Sequence, residues 1–179
     1  MGVRGFEIVS RFKGQEVALP ERHTKHAAGY DFAAAEDFVL PSIWKMNFVK
    51  VFRKINNEHE LMNKDYLRAE ATLRPLLVPT GIKAKMADDE VLLLVNRSSS
   101  PLKRFLILPN GVGVIDSDYY NNKTNEGEIF FQLVNYGLRD QVIKKGDRLG
   151  QGIFVKYLTT DDEAPITQER QGGFGSSGR

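Results

Sequence analysis

The sequence predicts an all-β domain, and three observations carry that expectation. Short apolar runs dominate the chain. Gly, Pro, Asn and Asp separate them. Only one stretch repeats its apolar residues at helical spacing. Many short strands divided in this way read as a sandwich, a barrel or a jelly roll.

Phe6–Val9 alternates and predicts the first strand. Ser42 can cap a helix after Pro41. Trp44, Phe48, Val51, Phe52 and Ile55 then recur at helical spacing, with Lys45, Lys50, Arg53 and Lys54 off that stripe. The stripe is expected to pack on the domain itself; the alternative is a partner-binding or membrane-surface helix. A second helical piece is expected over Asp65–Ala71, stopped by Pro75. Leu76–Val78 runs into the turn Pro79-Thr80-Gly81, and Ile82–Met86 alternates after it. Val91–Val95 is a continuous apolar run, suited to a strand buried on both faces. Phe105–Leu108, Ile129–Val134, Gln141–Lys144 and Gly152–Tyr157 complete the set. Between them, Asn110-Gly111-Val112-Gly113 followed by Val114 and Ile115 predicts a tight β-hairpin. The Gly-rich run 172–178 is expected to be disordered without a ligand, but its Phe174 sets it apart from a plain linker.

The 179 residues suffice for one domain with a sizeable core. A composition 41% hydrophobic and 27% charged is that of an ordinary globular protein. A net charge of +2 makes no electrostatic case for nucleic acid or a membrane surface. The chain has no cysteine, which excludes thiolate chemistry and fits a cytoplasmic location. No apolar run approaches the roughly 20 residues that span a bilayer. Met1–Gly5 does not read as a signal peptide, and Phe6 stands where a myristoylation signal prefers Ser or Thr.

Candidate chemistry falls in short segments. Asp116 lies in Gly113-Val114-Ile115-Asp116-Ser117-Asp118-Tyr119. A carboxylate on a rigid turn can orient and deprotonate a water. Tyr119 offers a flat face, and the backbone groups of Asn110 to Ile115, Gly113 among them, can present a fixed donor–acceptor pattern to a planar ligand. The guanidinium of Arg97, in Arg97-Ser98-Ser99, suits phosphate oxygens or neighbouring carboxylates. Phe174 can stack on a base, and glycine amides with Ser176 and Ser177 can cradle phosphate, with Arg170 beside them. Asp147 and Arg148 are expected to form a turn pair. Asp118 is expected to be structural. His23, His26 and His59 form no metal set and read as surface residues.

With Ala28-Gly29-Tyr30-Asp31, Gly146-Asp147-Arg148-Leu149-Gly150-Gln151 and Gly172-Gly173-Phe174-Gly175-Ser176-Ser177-Gly178, these segments resemble, in order, the five motifs of the trimeric dUTP pyrophosphatases, the dUTPases. The resemblance runs from about Leu19 to the C-terminus. It implies a jelly-roll-like β-barrel, homotrimeric, that hydrolyses dUTP to dUMP and pyrophosphate with Mg²⁺. By resemblance, Asp116 activates the water and Ser98, beside Arg97 and Ser99, contacts the oxygen bridging the α and β phosphates. Asn110, Gly113 and Ile115 belong to the uracil pocket. Tyr119 excludes a 2′-hydroxyl. Gln151 donates to the phosphates, and Arg170 meets the γ-phosphate. Phe174, Gly175, Ser176 and Ser177 form a lid over residues 169–179, the β domain taking 1–168. Asp31 reaches the metal through water. Sites are implied at subunit boundaries, the hairpin of one chain meeting the tail of another.

The chain departs from the family pattern in places. Gly150 stands where alanine is commoner, Asn96 where Gly or Pro precedes the arginine, and Ser100 where a bulky apolar residue is usual. The loop after Tyr119 is long, and the last motif is one residue short after Arg170. The stretch of roughly 42–72 reads as a helical insertion between the first and second motifs, and it offers a surface for a protein partner. A regulatory, partner-binding member of the family is therefore one alternative. The other is a dCTP deaminase of the same fold. That enzyme needs a glutamate near Gln132, and glutamine cannot serve as the base.

Overall fold

The structure is a computed structural model that describes residues 2–57, 62–164, 170 and 173. The described strands are β1 (Gly5–Ile8), β2 (Tyr30–Ala33), β3 (Phe38–Leu40), β4 (Leu76–Pro79), β5 (Ile82–Lys85), β6 (Glu90–Asn96), β7 (Leu106–Ile107), β8 (Gly113–Asp116), β9 (Phe130–Asn135), β10 (Gln141–Ile143) and β11 (Arg148–Lys156). Three helices join them: α1 (Met46–Asn56), α2 (Asn63–Leu73) and α3 (Ser99–Arg104). The strands pair antiparallel in open sheets, ordered β2-β11-β6-β8, β4-β9-β7, β1-β5 and β3-β10, with no closed barrel among the described residues.

One core joins the sheets. Phe32, Leu40, Val78, Leu92, Ile129, Phe131, Leu133 and Ile143 are fully buried in it. The run Val91–Val95 behaves as its composition requires: Val91, Leu92 and Leu94 are buried and Leu93 and Val95 half-buried. The turn between β4 and β5 is held by Thr80, whose hydroxyl donates to Ile129 O at 2.6 Å. Gly81 adopts φ +69° there, with Phe12 packed against its α-carbon. Arg4 grips the buried Glu90 carboxylate and fastens β1 to the start of β6.

The longest strand, β11, runs down the middle of the large sheet and carries two glycines for a packing reason. A Cβ on Gly150 would stand 2.0 Å from Phe131 Cε1, and one on Gly152 would stand 2.6 Å from Phe32 Cε2. Both rings are fully buried, so neither has room to withdraw. This accounts for glycine at the position where the family prefers alanine. Gly150→Ala is expected to cost about 1–3 kcal/mol as an overpacked core site. A thermal denaturation midpoint equal to the parent's would show that Phe131 does not fill that space.

The helical stripe does not pack as the sequence suggests. Phe52 and Ile55 are 57% and 54% exposed, and Trp44 is 45% exposed while its indole N–H donates to Tyr136 O. Helices α1 and α2 pack chiefly on each other, tied by Lys54 Nζ to Asp65 at 3.0 Å. Leu67 and Met62 are also exposed. No helix among the described residues is long and apolar enough to cross a membrane.

Candidate active site

A cleft of about 260 Å³ opens beside β8. Leu94, Leu108, Ile115 and Phe130 give it apolar walls, and Asn110, Glu128 and Gln132 add polar groups. Gly111, at φ +71°, turns the chain back after β7, with its N–H on Leu108 O at 2.9 Å. The chain then enters β8, which pairs with β6 rather than folding on itself: Gly113 faces Leu94 and Asp116 faces Val91. The expected tight hairpin is therefore a turn between strands of two different sheets.

Asp116 ends β8 and is half exposed at the cleft. A 3₁₀ turn over Ser117–Tyr119 follows and carries Tyr119 inward, leaving it 6% exposed. The Tyr119 hydroxyl donates to Glu128 O at 2.9 Å, and burial pushes its pKa up. Burial also raises the carboxyl of Glu128, against the pull of Arg11, whose Nη2 lies 2.8 Å from Oε1. Arg170 pairs with Asp116 and, at 2.7 Å, with Asp118. Gly173 lies against the Tyr119 ring, where a Cβ would approach Cε2 to 2.7 Å. In the single chain the start of the tail thus meets its own chain's Asp116 and Tyr119, where the sequence suggests a neighbour's.

A second cluster surrounds Asp31. Its side chain is 7% exposed. Gln151 Nε2 donates to Oδ1 at 2.9 Å, Arg148 Nη1 donates to Oδ2 at 3.2 Å, Arg97 Nε lies 3.5 Å from Oδ1, and His23 Nε2 lies 3.2 Å from Oδ2. Register places them: Asp31 on β2 faces Gln151 on β11, which faces Val95 on β6, and Arg97 follows β6. Two basic side chains around one carboxylate leave net positive charge, an arrangement suited to phosphate. Both Asp31 oxygens are engaged by these side chains. No group of three metal-ligating side chains occurs among the described residues. The donor set fits a Mg²⁺ carried by phosphate oxygens and waters, with Asp31 outside its inner shell.

The two clusters lie far apart in one chain. β2 and β8 are opposite edges of the large sheet, three strand spacings or about 14 Å apart. Along β6, Val95 and Val91 differ by four residues, about 13 Å. Asp116 and the Asp31 cluster therefore stand about 19 Å apart by these spacings.

The structure brings Asn110, Gly113, Ile115, Asp116, Tyr119 and Arg170 to the cleft. It brings Asp31, Arg97 and Gln151 to the second cluster. Ser98 stands just before α3 without a side-chain cap bond and Ser99 opens the helix; neither lines the cleft. Phe174, Gly175, Ser176, Ser177 and His59 lie outside the described residues. One expectation is corrected. Asp147 and Arg148 do not pair with each other: Asp147 takes Arg104 at 3.0 Å and the N–H of Lys144, while Arg148 turns to Asp31. His23 is exposed, as expected of a surface residue, and its ring also faces Asp31; Asp118 holds Arg170. Sequence reasoning missed Glu128 and Phe130 at the cleft and Asn125 behind Tyr119, because only folding brings these residues back to Tyr119.

The dUTPase family model matches residues 59–178. A deoxyuridine 5′-triphosphate nucleotidohydrolase of Lactococcus lactis is 41% identical over 179 residues, covering 99% of each chain. The crystal structure of dUTPase from Streptococcus mutans superposes with a TM-score of 0.68 at 39% identity, covering 88% of this chain and 98% of that one. The dUTPase of phage phi11 of S. aureus shares the fold, with a TM-score of 0.61 at 18% identity over 93% of this chain and 97% of that one. The fold and the cleft define a β-rich protein with a cleft of mixed polar and apolar lining beside β8. The chain belongs to the dUTPase family.

Proposed function

We propose that the chain is a dUTP diphosphatase, hydrolysing dUTP to dUMP and pyrophosphate at sites shared between the subunits of a homotrimer. The separation of about 19 Å between the two clusters carries this reading. A water-activating group and the donors on the leaving phosphates must bracket one phosphorus, with reacting atoms about 3–3.5 Å apart. Two groups so far apart in one chain meet one substrate without rearrangement of the sheet when a neighbour supplies one of them.

In this reading the base enters the cleft, where backbone groups from Asn110 to Ile115 match uracil. Tyr119 lies under the deoxyribose. Asp116 takes a proton from a water whose oxygen bonds to the α-phosphorus, and the bond from that phosphorus to the bridging oxygen breaks. Ser98 donates to the bridging oxygen, and Arg97 and Gln151 hold the phosphates with Ser99. Arg170 passes from Asp116 to the γ-phosphate, which frees the carboxylate for the water. Phe174, Gly175, Ser176 and Ser177 close the site by stacking and phosphate contacts. Mg²⁺ bound to the triphosphate supplies charge neutralisation on the leaving pyrophosphate. The reaction belongs in the cytoplasm, where the cysteine-free chain is at home.

Gln132 lines the cleft, and its amide cannot accept a proton, so deamination of dCTP is disfavoured. One observation favours a second role: Phe52, Ile55 and Leu67 stay exposed on the α1–α2 pair. We read 42–72 as a family insertion that gives a protein partner its surface, beside catalysis. The experiment for the enzyme reading is pyrophosphate release from each deoxynucleoside triphosphate and UTP with Mg²⁺. Release from dUTP alone is expected. Ammonia from dCTP, or no release from dUTP, would overturn it.

A further inference from the structure

We propose that Asn125, in the long loop after Tyr119, is a positioning residue that sets discrimination against the 2′-hydroxyl by clamping the Tyr119 ring. The proposal rests on the reading that Tyr119 lies under the sugar. Steric exclusion of one hydroxyl works only if the excluding ring cannot move aside, so what fixes the ring matters as much as the ring.

The loop holds Tyr119 at both ends. Asn125 Nδ2 donates to the Tyr119 hydroxyl at 2.7 Å, and that hydroxyl donates to Glu128 O at 2.9 Å. Its donor and acceptor capacities are thus both used, and the ring is fixed at its outer edge. At the backbone end, Asn122 Nδ2 donates to Tyr119 O at 2.9 Å. The two asparagines are joined, Asn122 Nδ2 donating to Asn125 Oδ1 at 2.8 Å.

Asn122 organises the loop that delivers Asn125. Its Oδ1 accepts from the N–H of Thr124 at 3.0 Å, the Thr124 hydroxyl at 2.7 Å and the N–H of Asn125 at 3.1 Å. Gly127, at φ +81°, then passes so close that a Cβ there would stand 2.5 Å from Tyr119 O. A loop of a single turn, the usual length at this point in the family, has no residue to place where Asn125 stands. The extra residues of this chain therefore form a brace on the sugar-facing tyrosine. Asn122 is buried and Tyr119 is 6% exposed, so water does not substitute readily for the lost amide.

The test compares kcat/KM for dUTP and UTP in the parent enzyme and in Tyr119→Ala, Tyr119→Phe, Asn125→Ala and the Tyr119→Phe/Asn125→Ala double variant. Tyr119→Phe keeps the ring and removes the hydroxyl, so it stands in should Asn125→Ala fold poorly; Asn125→Ser is the milder change at the loop. Asn125→Ala and Tyr119→Phe are each expected to narrow the dUTP preference by about five- to tenfold, the scale of one buried hydrogen bond. The double variant is expected to match Tyr119→Phe, because that variant already lacks the contact with Tyr119 that Asn125→Ala removes. If Tyr119→Ala loses the preference while Asn125→Ala, Asn125→Ser and Tyr119→Phe keep it, the loop is only scaffolding and the proposal is overturned. If Tyr119→Ala itself keeps the preference, the sugar-facing reading of Tyr119 fails, and the proposal with it.

Discussion

Asp116→Asn is expected to lower turnover of dUTP by about 10²–10⁴-fold or more while nucleotide binding persists. The substitution keeps size and shape and removes only the ability to take a proton. Asp116 is held at the end of β8 by the ladder to β6, so the amide occupies the carboxylate's place. Asp118 remains to receive Arg170 through Nε, which preserves part of the tail's attachment. Pyrophosphate release measures the turnover, and calorimetric titration with a non-hydrolysable imido analogue of dUTP measures the binding. A folded variant with parental turnover would remove Asp116 from the role of base. Loss of binding together with turnover would place it among the groups that hold the nucleotide.

Much of the fold was legible because its signals are local. Alternation marks β1 and β5, the Pro79-Thr80-Gly81 turn marks the end of β4, and the apolar run marks β6. The misses have physical causes. β2 and β3 are three or four residues long, and β2 runs straight into alanines, so no periodicity builds up. β11 starts at Arg148, ahead of where its apolar pattern begins, because Gly150 and Gly152 stand where side chains would show alternation. Their absence is a property of Phe131 and Phe32, which sequence proximity does not disclose. The turn at Asn110–Gly113 was visible, but its pairing was not. Hairpin chemistry is a short-range signal, and the ladder that β8 makes runs to β6 across α3 and β7.

The site divides in the same way. Its residue types stand in motifs and are legible there. Which of them meet is a matter of strand order. Asp31 and Gln151 are far apart in sequence and adjacent on β2 and β11, whereas Asp116 is on the far edge of the same sheet. The contact of His23 with Asp31 was not legible, because a lone histidine carries no signal until the carboxylate it faces is known. Asn125 escaped because an asparagine-rich loop reads as a solvated turn.

That division carries the second large effect. Mixing Asp116→Asn chains with Arg97→Ala/Gln151→Ala chains is expected to restore dUTP hydrolysis that each lacks alone. In a cyclic assembly the intact cleft of one chain then faces the intact Asp31 cluster of another. Random mixing in equal amounts gives about a quarter of sites both halves, so recovery should approach about a quarter of parental activity. The variants are co-refolded, and mixed oligomers are verified by native mass spectrometry with one chain isotopically labelled. The tail enters the design through Arg170, which in the single chain meets Asp116 and Asp118 of its own chain. A truncation before Arg170 therefore belongs with the Asp116 half: paired with Arg97→Ala/Gln151→Ala it should complement, and paired with Asp116→Asn it should not. Recovery in that last pairing would show that the tail crosses to a neighbour, as the family resemblance suggests. Verified mixed oligomers with no recovery in any pairing would mean that each site is built within one chain, and the distance across β2-β11-β6-β8 would then have to close on substrate binding.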